Sequence, residues 1–286
     1  EVGCGAGHTL VALSAIWREA FFMGLEAAPQ LAGRTLSDSP SIELRQGFIE
    51  NMQGVAEAFD LVFSVNVVEH AADVVNFLFA MAQQLATTGR IVLICPRLDP
   101  PNLELLFVDH IHSFSAAAME NLATKAGLTL ERYLPDGYGL GDFQIFVFCP
   151  KSMAASGVLR LGVDGRSSGD LAIACGNYLD AWKNLDQYLL RRVARMKDVL
   201  MFGAGEVAAL LRCYAPQTWS RASKLVVDDT KGARDLSRPV VQLLEVTPSD
   251  ELAIIIATHP RSQRGIAERL NTLGHRTVTF DELISR

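Results

Sequence analysis

Glu1-Val2-Gly3-Cys4-Gly5-Ala6-Gly7-His8 sets three glycines at alternate positions behind a carboxylate, just ahead of a segment with helical character. Glycines spaced this way strip every Cβ from one side of a turn, so a ligand can lie directly on backbone N–H groups at a helix N-terminus. The spacing G-x-G-x-G differs from the G-x-G-x-x-G that dinucleotide folds place against a pyrophosphate. Glu1 beside the turn would repel phosphate and suits a cationic ligand better. Glu26 stands about 20 residues further on, where nucleotide-binding βαβ units use an acid to hold ribose hydroxyls. The competing readings are a glycine-rich surface turn and, for Glu26, a charge at the start of the segment Ala27-Ala28-Pro29. A second pair, Glu69-His70, can orient one another where a strand gives way to a helix.

These residues need a strand–turn–helix scaffold, and the pattern supplies one. Thr9 to Trp17 reads as a helix, Ala20 to Leu25 as an apolar strand and Ser41 to Gln46 as a short strand. Phe59 to Asn66 is a continuous apolar run that turns polar at its carboxyl edge, the edge where open α/β sheets bind ligands. Val74 to Leu85 is a helix, Ile91 to Cys95 a strand, and Pro96-Arg97-Leu98-Asp99-Pro100-Pro101 a loop that can continue neither element. Ser115 is a good N-cap for a helix over Ala116 to Ala126, closed by Gly127. Leu128 to Leu134 and Phe143 to Phe148 form a hairpin about Pro135-Asp136-Gly137-Tyr138-Gly139. The strand ending at Glu1 belongs in mid-sheet, so residues upstream of Glu1 are expected.

The loop-forming stretch from Pro150 to Asp170 marks a boundary, and Leu171 to Met196 reads as one long amphipathic helix joining two halves. From Asp198 a second strand–turn–helix unit opens with Gly203-Ala204-Gly205 and reaches Asp228-Asp229. The expected division is 1–150, a linker and connecting helix over 151–197, and a smaller α/β domain over 198–286.

Composition narrows the function. With 49% hydrophobic and 20% charged residues the chain can bury a sizeable core. A net charge of −6 without a Lys/Arg cluster gives no footprint for nucleic acid, which favours a small-molecule substrate. No apolar run approaches a membrane span and no signal peptide is visible, so a cytoplasmic, membrane-free protein is expected. The five cysteines have neither C-x-x-C nor His-Cys spacing, so no metal site is indicated.

The Glu1-fronted glycine turn resembles motif I of the class I S-adenosylmethionine (SAM) dependent methyltransferases, and Phe59-Asp60-Leu61-Val62 with Glu69-His70 and Asp73 resembles their motif IV. The resemblance implies a seven-stranded Rossmann-like sheet with its last strand reversed, and SAM as cofactor with S-adenosylhomocysteine as product. It places Glu1, Gly3, Gly5 and Gly7 at the methionine end of that cofactor, Glu26 at its ribose, Phe48 and Ile49 at its adenine, and Asn66 near the methyl group. The whole chain resembles sugar C-methyltransferases acting on nucleotide-linked deoxysugars, which carry a C-terminal Rossmann-like domain. Asp109-His110-Ile111-His112-Ser113-Phe114-Ser115 falls in register with their acid–His segment over the reacting carbon, although Ser113 replaces the usual tyrosine. The resemblance makes His110 the base, Asp109 its orienting partner and His112 the runner-up. A histidine near pKa ~6.5 matches removal of a proton from a carbon beside a ketone or from a hydroxyl. The alternatives are an NAD-linked oxidoreductase using Gly203-Ala204-Gly205, and a C-terminal half that binds or dimerises without chemistry. The acceptor atom and the oligomeric state are open at this point.

Overall fold

A computed structural model describes residues 1–28, 41–52, 59–135, 141–153, 166–231 and 236–284. The chain divides into two compact units, Glu1–Ser168 and Gly169–Arg286.

In chain order the first unit holds α1 (His8–Ile16), β1 (Phe22–Glu26), β2 (Ile42–Gln46), β3 (Phe59–Val65), α2 (Val74–Gln83), β4 (Leu85–Pro96), α3 (Ala116–Lys125), β5 (Leu128–Leu134) and β6 (Phe143–Pro150). β1 and β2 pair in parallel, and a four-stranded sheet runs β3-β4-β6-β5. β3 and β4 are parallel, whereas β6 runs antiparallel to both β4 and β5, so the reversed hairpin is present. Its turn over 136–139 lies outside the described residues. A single seven-stranded sheet is not formed. The gap between the two ladders contains Val2 alone, which bridges in parallel to both Leu25 and Ser64 and has no neighbours in a ladder of its own.

The β3-β4-β6-β5 sheet holds because each strand gives one face to a shared core. Ile91, Leu93 and Cys95 alternate along β4 and are fully buried with Phe77, Leu78 and Met81 of α2 and Met119 of α3. Phe146 and Phe148 of β6 stack in the same cluster with ring centroids 5.9 Å apart. Burying each such side chain stabilises the fold by roughly 1.5–3 kcal/mol. Asp73 caps α2 by accepting the Asn76 N–H at 3.0 Å, and Ser115 caps α3 by accepting the Ala118 N–H at 3.2 Å. These caps fix where the loops on either side of Glu69 and His110 begin and end.

The second unit contains α4 (Ser168–Lys183), α5 (Leu185–Arg192), β7 (Asp198–Phe202), α6 (Glu206–Tyr214), α7 (Pro216–Arg221), β8 (Ala222–Val227), β9 (Val240–Gln242), β10 (Leu252–Ile256), α8 (Pro260–Thr272), β11 (Arg276–Val278) and α9 (Asp281–Ile284). Its five strands are all parallel in the order β11-β10-β7-β8-β9, and every residue of β10 is buried. The helix expected over 171–196 is two helices. They meet at Asn184, whose side chain donates to the Asp180 carbonyl at 2.8 Å beside its own N–H at 3.1 Å, and α5 follows. Buried Asp186 then accepts from the Gln217 and Thr218 N–H groups at 3.0 and 2.8 Å and from the Thr218 hydroxyl at 2.7 Å, tying α5 to α7. Among the described residues no helix is long and apolar enough to cross a membrane.

Candidate functional site

Gly3, Gly5 and Gly7 have φ of +73°, +53° and +80°, left-handed values that L side chains rarely adopt, so the glycines are dictated by the path of the turn. They differ in what surrounds them. A Cβ on Gly3 would lie 2.2 Å from Val67 Cγ2, whereas a Cβ on Gly5 would meet nothing within 4 Å. Gly3 is therefore packed against the chain just past β3, and Gly5 faces open space. Gly7 is the N-cap of α1 and contributes no side-chain bond to its first turn.

Two carboxylates meet this turn. Glu26, the last residue of β1, accepts the Gly5 N–H at 2.7 Å and the Ala28 N–H at 2.8 Å. Glu1 is half-buried with one oxygen that has no partner among the described residues, and burial raises its pKa. A buried carboxylate without a partner is costly and is relieved by a cation. The open face over Gly5 and the unpartnered Glu1 oxygen fit the cationic end of SAM.

Phe48 and Ile49 part company. Phe48 is 61% exposed and offers a ring face, whereas Ile49 is 3% exposed and belongs to the core, leaving only its backbone for a ligand. Asn66 follows β3 with φ +55°, donates its N–H to the Ile94 carbonyl at 2.9 Å and exposes its side chain.

The chain then makes a 3-10 turn, Val68–His70, against the loop that carries His110. Glu69 is 1% exposed, and among the described residues neither carboxylate oxygen meets a donor on another residue. Burial raises its pKa, an effect that the nearby His70 opposes. His70 Nδ1 lies 2.7 Å from the Asp109 carbonyl, and the His112 N–H donates to the Glu69 carbonyl at 3.1 Å, stitching turn to loop. The His70 and His110 rings meet edge to face with centroids 4.8 Å apart. His110 Nδ1 lies 3.1 Å from Glu104 Oε2, so the carboxylate beside that ring is Glu104. Asp109 is exposed and contributes its backbone carbonyl, to a different histidine. His112 Nε2 is buried with no hydrogen-bond partner among the described residues, and its ring leans on Phe114 at 5.8 Å.

One ligand atom from each of Glu69, His70 and His110 lies within 4.8 Å of the other two, a convergence that sequence spacing did not disclose. Glu104 was missed as well, because it lies in a short 3-10 segment, Leu103–Leu106, without a motif around it. The visible signal was the Glu69-His70 adjacency at a strand's carboxyl end.

A cavity of about 800 Å³ runs beside β1 and β3, lined by Glu1, Val2, Leu25, Ile49, Phe59 and Gln84, and so reaches Glu1 at the glycine turn. In the second unit, a Cβ on Gly203 would lie 2.6 Å from the Ala257 carbonyl oxygen, so strand packing alone demands that glycine. Asp228, at the end of β8, is paired with Arg269 at 2.9 Å.

Residues 1–93 match the family described as a methyltransferase domain. Comparison with curated proteins finds no match. Among solved structures the chain is similar to one in the complex between the Haloferax volcanii Trm112 methyltransferase activator and a methyltransferase, at 15% identity over 52% of this chain and 80% of that one, with a TM-score of 0.46. It is similar to a TehB-like SAM-dependent methyltransferase from Corynebacterium glutamicum, at 21% identity over 53% of this chain and 78% of that one, with a TM-score of 0.42. It is also similar to the mitomycin 7-O-methyltransferase MmcR, at 25% identity over 52% of this chain and 47% of that one, with a TM-score of 0.44. The glycine turn and Glu26 both lie inside residues 1–93, the segment that matches a methyltransferase domain.

Proposed function

We propose that the protein methylates a small molecule whose acceptor atom must lose a proton, and that the acceptor is a nucleotide-linked sugar methylated at a carbon beside a ketone. The observation that carries this reading is the adjacency of cradle and histidine cluster. Gly3 packs on Val67, Val67 accepts the His70 N–H at 2.9 Å, and Glu69, His70, His110 and His112 follow within that turn and the loop bound to it. Methyl groups leave SAM by in-line displacement, with the sulfonium charge vanishing on the way. The chain must chiefly hold the acceptor in line and exclude water, which supplies much of the acceleration.

The roles follow from position. Gly3, Gly5 and Gly7 keep side chains off the cofactor's methionine end, Glu1 offers that end a carboxylate, and Glu26 serves the ribose from its seat on the Gly5 N–H. Phe48 presents an exposed ring to the adenine, Ile49 offers backbone beside it, and Asn66 marks the methyl position. Acceptor deprotonation depends on His110, oriented by Glu104, with His112 as the second candidate. His110→Ala should abolish turnover and leave SAM affinity within a few fold. Labelled SAM offered with nucleotide sugars and with phenols identifies the acceptor, and transfer to phenols alone would overturn the sugar assignment.

The second unit is proposed as a Rossmann-like binding or assembly module that follows the connecting segment. Pairing of Asp228 with Arg269 and the packing role of Gly203 support this over an NAD site. NAD binding lost on Gly203→Val, in a protein that still folds, would favour the oxidoreductase reading.

A further inference from the structure

The cluster beside the cradle has the composition and geometry of a metal site. Glu69, His70 and His110 each bring one ligand atom within 4.8 Å of the others. Glu69 is 1% exposed and among the described residues both its oxygens lack a donor on another residue, a burial that proteins otherwise avoid. His70 Nδ1 faces the Asp109 carbonyl at 2.7 Å and His110 Nδ1 faces the Glu104 carboxylate at 3.1 Å. The carbonyl against His70 Nδ1 keeps the proton there and leaves Nε2 as that ring's basic nitrogen. Metal-binding histidines are oriented in this way, with the second ring nitrogen donating to a carbonyl or carboxylate.

We infer that Glu69, His70 and His110 bind a divalent first-row cation of the zinc class, with one coordination position open to the acceptor. Two histidines and a glutamate with an open position make up one of the known catalytic zinc sets. In a tetrahedral site with bonds of about 2.0–2.1 Å the ligand atoms stand about 3.4 Å apart, so the three atoms close on the ion by side-chain rotation. The His112 N–H to Glu69 carbonyl bond and the His70 contact with Asp109 hold turn and loop together for that closure. An ion at this point acts as a Lewis acid on an oxygen. The acceptor therefore carries a carbonyl or hydroxyl oxygen at or next to the methylated atom; the ion acidifies it so that its proton leaves to water, and His110 acts there as a ligand in place of the base role. The inference rests on the methyl-transfer reading for its substrate class, though the site itself stands on geometry.

The test uses the full chain, stripped with chelator and titrated with Co²⁺ alone. One Co²⁺ per chain is expected, with the visible absorption of a low-coordinate ion and displacement by Zn²⁺. Glu69→Gln, nearly isosteric, should weaken Co²⁺ binding at least about tenfold, as should His70→Ala and His110→Ala, while Asp109→Asn keeps it because its carbonyl remains. Circular dichroism confirms that each variant is folded, and calorimetry with SAM shows an intact cradle. Absence of stoichiometric Co²⁺ binding, or binding retained in both Glu69→Gln and His110→Ala, overturns the site. Chelation that leaves methyl transfer unchanged overturns its role with the acceptor but not the methylation reading. Co²⁺ bound as expected in a protein that binds no SAM supports the site and overturns that reading.

Discussion

Replacing Gly3 and Gly5 separately by alanine asks the glycine turn two different questions. Gly3→Ala places a Cβ at φ +73° and 2.2 Å from Val67 Cγ2. The left-handed backbone costs an alanine about 1–2 kcal/mol, and overpacking adds roughly 1–3 kcal/mol. The sum, about 2–5 kcal/mol, is a large fraction of the ~5–15 kcal/mol that holds a typical domain folded. Val67→Ala in the same chain removes Cγ1 and Cγ2, leaving only Val67 Cβ at 3.3 Å, so it should return the overpacking part and not the backbone part. Gly5→Ala carries the same kind of backbone strain at φ +53° but meets no neighbour, so its stability loss should stop near 1–2 kcal/mol. Its Cβ instead enters the space proposed for the cofactor. SAM affinity should fall at least about tenfold, ~1.4 kcal/mol. Urea unfolding measures the first quantity and calorimetric titration with SAM the second. The reasoning is refuted if Gly5→Ala binds SAM as the parent does, or if Gly3→Ala is as stable as Gly5→Ala.

Three further outcomes follow from the same geometry. Glu26→Ala removes the acceptor of the Gly5 and Ala28 N–H groups, and SAM binding measured by calorimetry should weaken by more than about tenfold. Asp186→Ala orphans two buried or half-buried N–H groups and leaves the Thr218 hydroxyl only the residue 186 carbonyl, and should lower the stability of the second unit by roughly 1–3 kcal/mol in urea melts. Buried His275 has its pKa lowered from 6.5 by burial, so the unfolded chain takes up a proton more readily than the folded one; stability should be full above pH 6.5 and fall as pH drops from there towards the lower folded pKa. Tryptophan fluorescence of melts at several pH values reads this, and a slope unchanged in His275→Asn would remove His275 as its cause.

Much of the scaffold was legible because its signals are local. The apolar run Phe59 to Val65, the Ser115 cap and the paired strands about 134 and 143 depend on residues close in sequence, and each appears where its pattern implies. The glycine turn was legible for the same reason, since positive φ leaves few residue types to choose from. What was hidden depends on distance. Glu104 stands 3.1 Å from His110 within their loop, and Glu69 meets His110 across about forty residues because the Val68–His70 turn is bonded to the loop at Asp109 and His112. No periodicity announces such a meeting. At Asn184 the long helix divides in two although apolar spacing and the backbone bonds to Asp180 and from Tyr188 both run through it. The sheet expected as one is two ladders joined through Val2, because one residue can bridge to both sides without building a strand.

The most direct test of the central claim is a crystal structure of the protein grown with S-adenosylhomocysteine. Its amino-acid end should lie on the backbone of Gly3 to Gly7, with the ribose hydroxyls at Glu26 and the adenine beside Phe48. Density for the molecule elsewhere, with the turn and Glu26 untouched, would contradict the account.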